Sequence, residues 1–391
     1  LGWATIASVL GGISSSIVLI IAAPQLAAFA LNFGPIETFA LILLGLTCII
    51  SVSNESLVKG LIAGFLGIFL STVGGDPITG EARFTFGHFQ LIAGFNLLAV
   101  VIGVFALAEV ISRASSMGEE TGLLVNFKGI VIPKLSAWKG RIKGLIKSMA
   151  IGNCIGILPG TGAATAAFIS YAEARRSAPT RDNFGKGEPD GIIASESANN
   201  AVTGGALVPT LALGIPGDAI TAVMLATLTL HGVTPGVRLM SENPVLIAAI
   251  FSGFLIINIM LLPLAMIVSR MAAPILRIKE AYMLVVITLL CSVGVFFVRG
   301  NPFDLLIMAA AGFLGYFLRR QGYPAAPLVI GMVLGPTLEI SLRQGLIITD
   351  GNFLVFFTEH PIALALAFIA TIMLTWPLVR IVKNNRALKN V

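Results

Sequence analysis

The sequence has few charged residues for its length. Only 11% of its 391 residues are Asp, Glu, Lys or Arg, whereas soluble domains contain about 25%. Hydrophobic residues make up 56% of the chain, and the mean hydropathy is +0.95. This balance excludes a soluble globular domain and indicates a polytopic membrane protein in a lipid bilayer. The net formal charge of +6 is spread over the loops, so we interpret it as the Lys/Arg bias that orients membrane proteins. We expect no nucleic-acid partner.

Cysteine and histidine are also scarce. The three Cys residues lie in separate apolar runs, which excludes a disulfide framework, and the three His residues are too scattered for a zinc or haem site. The chain also lacks a Gly-x-x-x-x-Gly-Lys-Ser/Thr loop that would bind ATP. We therefore expect neither enzymatic activity nor a cofactor.

Long apolar runs fill most of the chain, and a run of about 20 residues is enough to cross a bilayer. Leu1 is not an initiator Met and no basic segment precedes the first run. We therefore expect no signal peptide and a chain that begins inside a longer protein. The runs that fit a span outside the central stretch are Trp3–Ala23, Ile36–Ser51, Ser56–Val73, Phe89–Ile111, Val245–Val268, Tyr282–Val298, Phe303–Leu318, Pro327–Ile348 and Ile362–Val379.

The central stretch Asn153–Asp218 is different, because a Pro-Gly pair interrupts the apolar sequence near each end. These pairs are Pro159-Gly160 and Pro216-Gly217. Pro removes a backbone donor and Gly adopts non-helical angles, so each pair is expected to split its helix in two. Unpaired backbone groups are costly in hydrocarbon, so breaks are tolerated only where protein, a cavity or a ligand satisfies them. Two such helices are the best sequence indication of a transporter binding site.

Each break predicts a site made of backbone and neutral side chains. The half-helix after a break presents N–H donors, here Thr161–Ala163 and Gly217–Ala219, to an anion. The predicted substrate-binding residues are Pro159, Gly160, Thr161, Gly162, Thr165, Ser197, Asn199, Asn200, Pro216 and Gly217. A coupling cation, Na⁺ or H⁺, is predicted at Asp218 with the carbonyls of Gly214 and Ile157, although Asp218 equally fits a helix N-cap.

The Lys and Arg residues orient the spans. The segment Arg113–Lys147 contains seven of them against two Glu residues, so it is predicted to be cytoplasmic, as are Arg319-Arg320 and the C-terminal tail. Pro235–Pro244 is then outside. The preferred solution makes Leu145–Tyr171 a re-entrant hairpin and Ser195–Leu230 one broken crossing helix. Two full crossings plus a hairpin satisfy the same parity, so both solutions stay open.

These features predict an all-α polytopic membrane protein of about ten to twelve helical membrane segments. It is of the secondary-transporter type, with inverted-repeat character, because a Thr-Ala pair follows both breaks. The expected division is residues 1–112 as scaffold helices, 113–147 as a basic loop, 148–231 as the core of the substrate site, and 232–391 as C-terminal helices and tail.

Several motifs resemble the large membrane subunit of bacterial tripartite tricarboxylate transporters, the TctA family. They are Gly156–Thr165, Phe184–Gly187, Ser195–Ala201, Gly205–Gly217, Asp76–Gly80, Arg83–Gly87 and Pro327–Pro336. The family's large subunit usually has a further N-terminal part with a first copy of the Pro-Gly elements, and Leu1 begins after that part would have ended. The resemblance therefore implies that one half of a pseudo-symmetric site is absent from this chain.

The resemblance implies a cation-coupled secondary transporter that imports tricarboxylates or related, citrate-like carboxylates across the bacterial inner membrane. It also implies a periplasmic solute-binding protein and a small membrane subunit as partners. Besides a passive channel, which would not need saturable, cation-dependent uptake, two alternatives remain from the residues alone. One is a stand-alone carboxylate/sodium symporter that needs no binding protein. The other is an aspartyl intramembrane protease, for which Asp218 would require Asp76 or Asp304 as a facing partner.

Overall fold

The computed structural model describes residues 1–52, 57–115, 132–158, 162–272 and 278–389. Within these residues the chain is almost entirely helical, and its strands are one short antiparallel pair, Gly74–Gly75 (β1) with Ala82–Arg83 (β2). A π-helical turn, Gly103–Leu107, joins α4 to α5. The helices are α1 Gly2–Ala30, α2 Pro35–Val52, α3 Leu57–Ser71, α4 Leu97–Ile102, α5 Ala108–Ser115, α6 Ile142–Ile157, α7 Gly162–Ser177, α8 Pro189–Leu213, α9 Ala219–Leu230, α10 Leu239–Glu242, α11 Pro244–Ala272, α12 Glu280–Arg299, α13 Phe303–Arg320, α14 Ala325–Ile348, α15 Val355–Thr358 and α16 Pro361–Lys389.

Among the described helices, five are long and apolar enough to cross a membrane. They are Gly2–Ala30, Leu97–Ser115, Pro244–Ser269, Glu280–Arg299 and Ala325–Ile348, and four shorter apolar helices accompany them. These helices confirm a multi-pass, all-α protein, whereas the total of about ten to twelve membrane segments stays a prediction.

One predicted span begins later than the apolar run suggests. The run Phe89–Ile111 predicted a helix from its first residue, but Phe89–Leu91 forms a single 3-10 turn and the long helix begins at Leu97. The reason is local, because Asn96 caps this helix by accepting a hydrogen bond from the backbone N–H of Leu98 at 3.1 Å.

The chain divides into two compact units that do not follow the order of the sequence. The first contains Leu1–Leu31, Glu119–Gly217 and His231–Tyr282, and the second contains Asn32–Gly118, Asp218–Leu230 and Met283–Val391. The four segments expected from the sequence follow chain order instead, and the roles assigned to them stay predictions.

In the first unit, α8 is the central helix. It packs along α1 on one side and along α6 and α7 on another. Glycine allows this packing, because a Cβ on Gly204 would lie 2.2 Å from the Ser15 carbonyl oxygen, and one on Gly152 would lie 2.4 Å from that of Ala198. Contact at backbone distance is typical of membrane helices that associate through small residues.

In the second unit, α14 packs against α2 and α3, and α13 packs against α4 and α5. Ion pairs tie the β1–β2 loop to α14. Arg83 donates to both carboxylate oxygens of Glu339, at 2.6 and 3.0 Å, and Arg343 donates to Asp76 at 2.9 Å. The backbone N–H groups of Thr79 and Ile78, with the Arg343 guanidinium adding to them, hold the pKa of Asp76 well below its usual range.

Candidate functional site

The helix predicted to break at Pro216-Gly217 is interrupted in the structure. Helix α8 ends at Leu213 and α9 begins at Ala219. Gly214 ends α8 in the left-handed conformation, with φ +72° and ψ +19°, and its N–H donates to the Thr210 carbonyl at 3.1 Å. Glycine adopts this conformation without steric cost, so the residue after the helix terminates it as a C-cap.

The segment after Gly214 folds back against the end of α8. The Gly217 N–H donates to the Thr210 Oγ1 at 3.3 Å, and a Cβ on Gly217 would lie 2.7 Å from the Ala206 Cβ. A second segment covers the same end, because the Gly236 N–H donates to the Leu211 carbonyl at 3.2 Å. A Cβ on Gly214 would approach the Pro235 carbonyl oxygen to 2.9 Å. The interruption is therefore a packed structure, with part of its backbone already satisfied.

Asp218 caps α9. Its carboxylate Oδ1 accepts from the Thr221 N–H at 2.8 Å, and its own N–H donates to the Thr221 Oγ1 at 2.9 Å. These reciprocal bonds satisfy two donors at the start of the helix. Of the two roles that the sequence leaves open for Asp218, the structure shows the N-cap, and the cation-coupling role stays a prediction.

The backbone groups expected to bind ligands are only partly free. Side-chain oxygens occupy two of the three predicted donors after the break, the N–H groups of Gly217 and Asp218. Among the described residues, the Ala219 N–H has no partner, and the carbonyls of Gly214 and Ile215 accept no hydrogen bond. An anion therefore has fewer backbone donors here than the sequence predicts, whereas the acceptors suited to a cation remain.

Helices α6 and α7 form a hairpin. They pack together, and at their ends remote from the connection Lys147 of α6 pairs with Glu173 of α7. Ile157 is exposed at the end of α6. Gly162 begins α7 with φ +68°, and Thr165 is half-buried one turn later. The predicted site residues Pro159, Gly160 and Thr161 lie outside the described residues. The hairpin agrees with the preferred topology, in which Leu145–Tyr171 forms a re-entrant hairpin. Its re-entry into a membrane stays a prediction.

Helix α8 has three distinct faces, which follow from its turn of about 100° per residue. The first contacts α1, because a Cβ on Gly11 of that helix would lie 2.3 Å from the Ser197 carbonyl oxygen. The second contacts the hairpin, where Ala166 joins Ala198 and Val202 in a buried cluster. The third face carries four half-buried polar side chains beyond the exposed Ile192, and we name them the polar face of α8: Glu196, Asn199, Asn200 and Thr203.

The predicted side chains on α8 differ in how available they are. Ser197 is fully buried, and its hydroxyl donates to the Ile193 carbonyl at 2.6 Å. Asn200 donates to the Glu196 carbonyl at 3.1 Å, which leaves its amide oxygen and one N–H. The Asn199 amide makes no hydrogen bond to any described residue, so it is the most available of the three.

Sequence reasoning missed two residues near these features. Thr210 supplies the hydroxyl that accepts from Gly217, and Ser8 donates to the Glu196 carboxylate at 3.1 Å. A hydroxyl six residues before a Pro-Gly break is a local signal that could have indicated Thr210. Ser8 carries no such signal, because its partner lies far away in the sequence.

Comparison with known proteins gives one family and two relatives. The model of the tripartite tricarboxylate transporter TctA family matches residues 1–330. The "Uncharacterized 52.8 kDa protein in TAR-I ttuC' 3'region" of Agrobacterium vitis is 35% identical over 388 residues, which are 99% of this chain and 76% of the relative. The "Uncharacterized protein in TAR-II ttuC' 3'region" of the same organism is 35% identical over 232 residues, 59% of this chain and 96% of the relative. No solved structure matches.

Proposed function

The chain belongs to the tripartite tricarboxylate transporter TctA family, and on that premise we propose that it imports carboxylates as the large membrane subunit of a cation-coupled secondary transporter. The substrates we propose are tricarboxylates and related, citrate-like carboxylates. The other components of the three-part system are then a periplasmic solute-binding protein and a small membrane subunit. The corresponding location is the bacterial inner membrane.

One observation carries this proposal: the polar face of α8, on the same helix that ends at the interruption at Gly214. Asn199 and Asn200 offer amide donors without a formal charge. Neutral donors suit a carboxylate that must be bound on one side of the membrane and released on the other. Structural amides in membrane helices hydrogen-bond to neighbouring helices, whereas neither Asn199 nor Asn200 makes such a bond to another described helix.

The energy requirement supports coupling to a cation. Moving one charge across 100 mV is worth about 2.3 kcal/mol, so bringing a trianion into a negative cell costs roughly 7 kcal/mol per 100 mV. The sequence has no nucleotide-binding loop to supply this energy. We therefore propose that Na⁺ or H⁺ enters together with the carboxylate.

The proposal is tested with the assembled transporter in proteoliposomes, using labelled tricarboxylates and dicarboxylates with and without the binding protein. Asn200→Asp places a negative charge in the proposed site and is expected to raise the apparent KM at least about tenfold, equivalent to about 1.4 kcal/mol. Asn183→Asp makes the same change at an exposed turn and serves as the matched control. An unchanged KM in Asn200→Asp would remove the site assignment. Uptake that needs no binding protein would favour the stand-alone symporter.

A further inference from the structure

We propose that Glu196 binds the coupling cation, as the protonated acid or as a Na⁺ ligand, with Ser8 as its partner. This inference rests on the proposed transport function and names the residue that couples it. Glu196 is half-buried on the polar face of α8, and its Oε2 accepts from the Ser8 hydroxyl at 3.1 Å. Its neighbours one turn along this face are Asn199 and Asn200.

The carboxylate of Glu196 has no positively charged partner among the described residues. Helix α1, which supplies Ser8, contains no Asp, Glu, Lys or Arg over its whole length. The charged residues near the start of α8 are already paired, because Arg141 contacts both Glu188 and Asp190. On α6 and α7, Lys147 and Arg176 pair with Glu173, Lys143 and Arg175 are exposed, and both helices pack on a different face of α8.

A half-buried carboxylate without a fixed counter-charge can be compensated in two ways, by a proton bound to it or by a metal cation beside it. The hydroxyl of Ser8 suits both the free and the metal-bound carboxylate, because it donates to the free carboxylate and its oxygen can join a cation's coordination shell. On the predicted crossing Ser195–Leu230, a carboxylate at this position is a candidate for ion movement.

Its position also explains why coupling would be obligatory. The proposed substrate is an anion bound by amides one turn from Glu196, so the ionised carboxylate repels it. Binding of one cation at Glu196 removes this repulsion, and release of the cation into the cytoplasm restores it and expels the substrate. Asp218 is less suited to this task, because Thr221 already engages its carboxylate in the cap of α9.

The experiment compares wild-type transporter with Glu196→Gln in proteoliposomes, in two assays. Gradient-driven accumulation needs movement of the coupling ion down its gradient, whereas exchange of internal for external carboxylate at equal cation concentrations needs no cation gradient. We expect Glu196→Gln to retain exchange and to lose at least about tenfold in gradient-driven accumulation. The matched control Glu242→Gln, at an exposed position of α10, is expected to retain both. Varying Na⁺ at fixed pH, and pH at fixed Na⁺, identifies the ion.

Accumulation by Glu196→Gln with a wild-type dependence on Na⁺ and pH overturns the inference. If the variant also loses exchange, thermal unfolding of the purified protein with and without the cation decides whether Glu196 binds it. Stabilisation by the cation in the wild type and not in Glu196→Gln supports the assignment, and equal stabilisation in both rejects it. Absence of any carboxylate transport by the wild type refutes the proposed function instead, and the unfolding measurement still reports whether Glu196 binds a cation.

Discussion

Replacing Gly214 by Ala tests whether the interruption of α8 depends on one backbone conformation. At φ +72° an Ala side chain costs about 1–2 kcal/mol, because its Cβ crowds the neighbouring carbonyl. The same Cβ would lie 2.9 Å from the Pro235 carbonyl oxygen. Overpacking of this kind adds about 1–3 kcal/mol. We therefore expect Gly214→Ala to lower the free energy of unfolding by about 2–5 kcal/mol.

Two other glycines of the same unit separate the conformational cost of Gly214→Ala from its overpacking cost. Gly232 has φ +76° but would place its Cβ in open space, so Gly232→Ala is expected to cost only the conformational part, about 1–2 kcal/mol. Gly253 lies inside α11 with nothing near its Cβ, so Gly253→Ala is expected to be neutral or stabilising by up to about 1 kcal/mol.

Reversible unfolding in detergent, followed by denaturant titration, measures these differences. Transport by the same variants in proteoliposomes shows whether the interruption also matters for uptake. The expected order of destabilisation is Gly214→Ala, then Gly232→Ala, then Gly253→Ala. Equal stability of the Gly214 and Gly253 variants would refute the claim that the chain needs the left-handed conformation and the close approach of Pro235.

Four further changes have definite expected outcomes. Gly204→Ala should destabilise the α1–α8 contact by about 1–3 kcal/mol, since its Cβ would meet backbone 2.2 Å away, and thermal unfolding measures this loss. Asp218→Ala should cost about 0.5–2 kcal/mol by the same assay while Asp218→Asn costs less, because Asn also caps helices. Asp76 has a lowered pKa in the folded state, so its contribution is present above about pH 4 and is lost as the pH falls; the stability gap between wild type and Asp76→Asn should therefore narrow in acid. Asn199→Leu should leave stability unchanged or raise it while reducing uptake, and equal losses of both would instead indicate a structural role.

The interruption of α8 and the hairpin before it could be predicted from the sequence, because their signals are local. Pro and Gly restrict or relax the backbone at their own positions whatever the rest of the chain does. The late start of the helix at Leu97 had a local signal as well, since Asn96 is a common N-cap residue. The apolar run that begins at Phe89 hid this signal, because hydrophobicity alone does not distinguish a helix from an apolar loop.

The segments that make up each unit could not be predicted, because their association depends on contacts between residues far apart in the sequence. The first unit brings Leu1–Leu31 together with residues beyond Glu119, and the bond from Ser8 to Glu196 spans 188 positions. Many of the closest of these contacts involve Gly, Ala and Ser, which produce no hydrophobic periodicity to indicate a buried face. The same lack of contrast hid the environment of Glu196, whose carboxylate accepts a hydrogen bond from Ser8 of α1.

The distribution of polarity around α8 separates structural from functional residues. The two faces that contact α1 and the hairpin are apolar or small, with glycine at the closest approaches and larger side chains such as Ile193 packed beside them. A helix that only supported the fold would turn apolar residues outward on its remaining face, because a charged residue at the centre of a membrane helix costs about 2.5–3.5 kcal/mol. Glu196, Asn199 and Asn200 occupy that face instead, with few bonds to the protein. Their polar groups have few partners among the described residues, which is the reason that we propose the substrate and cation sites on the third face of α8.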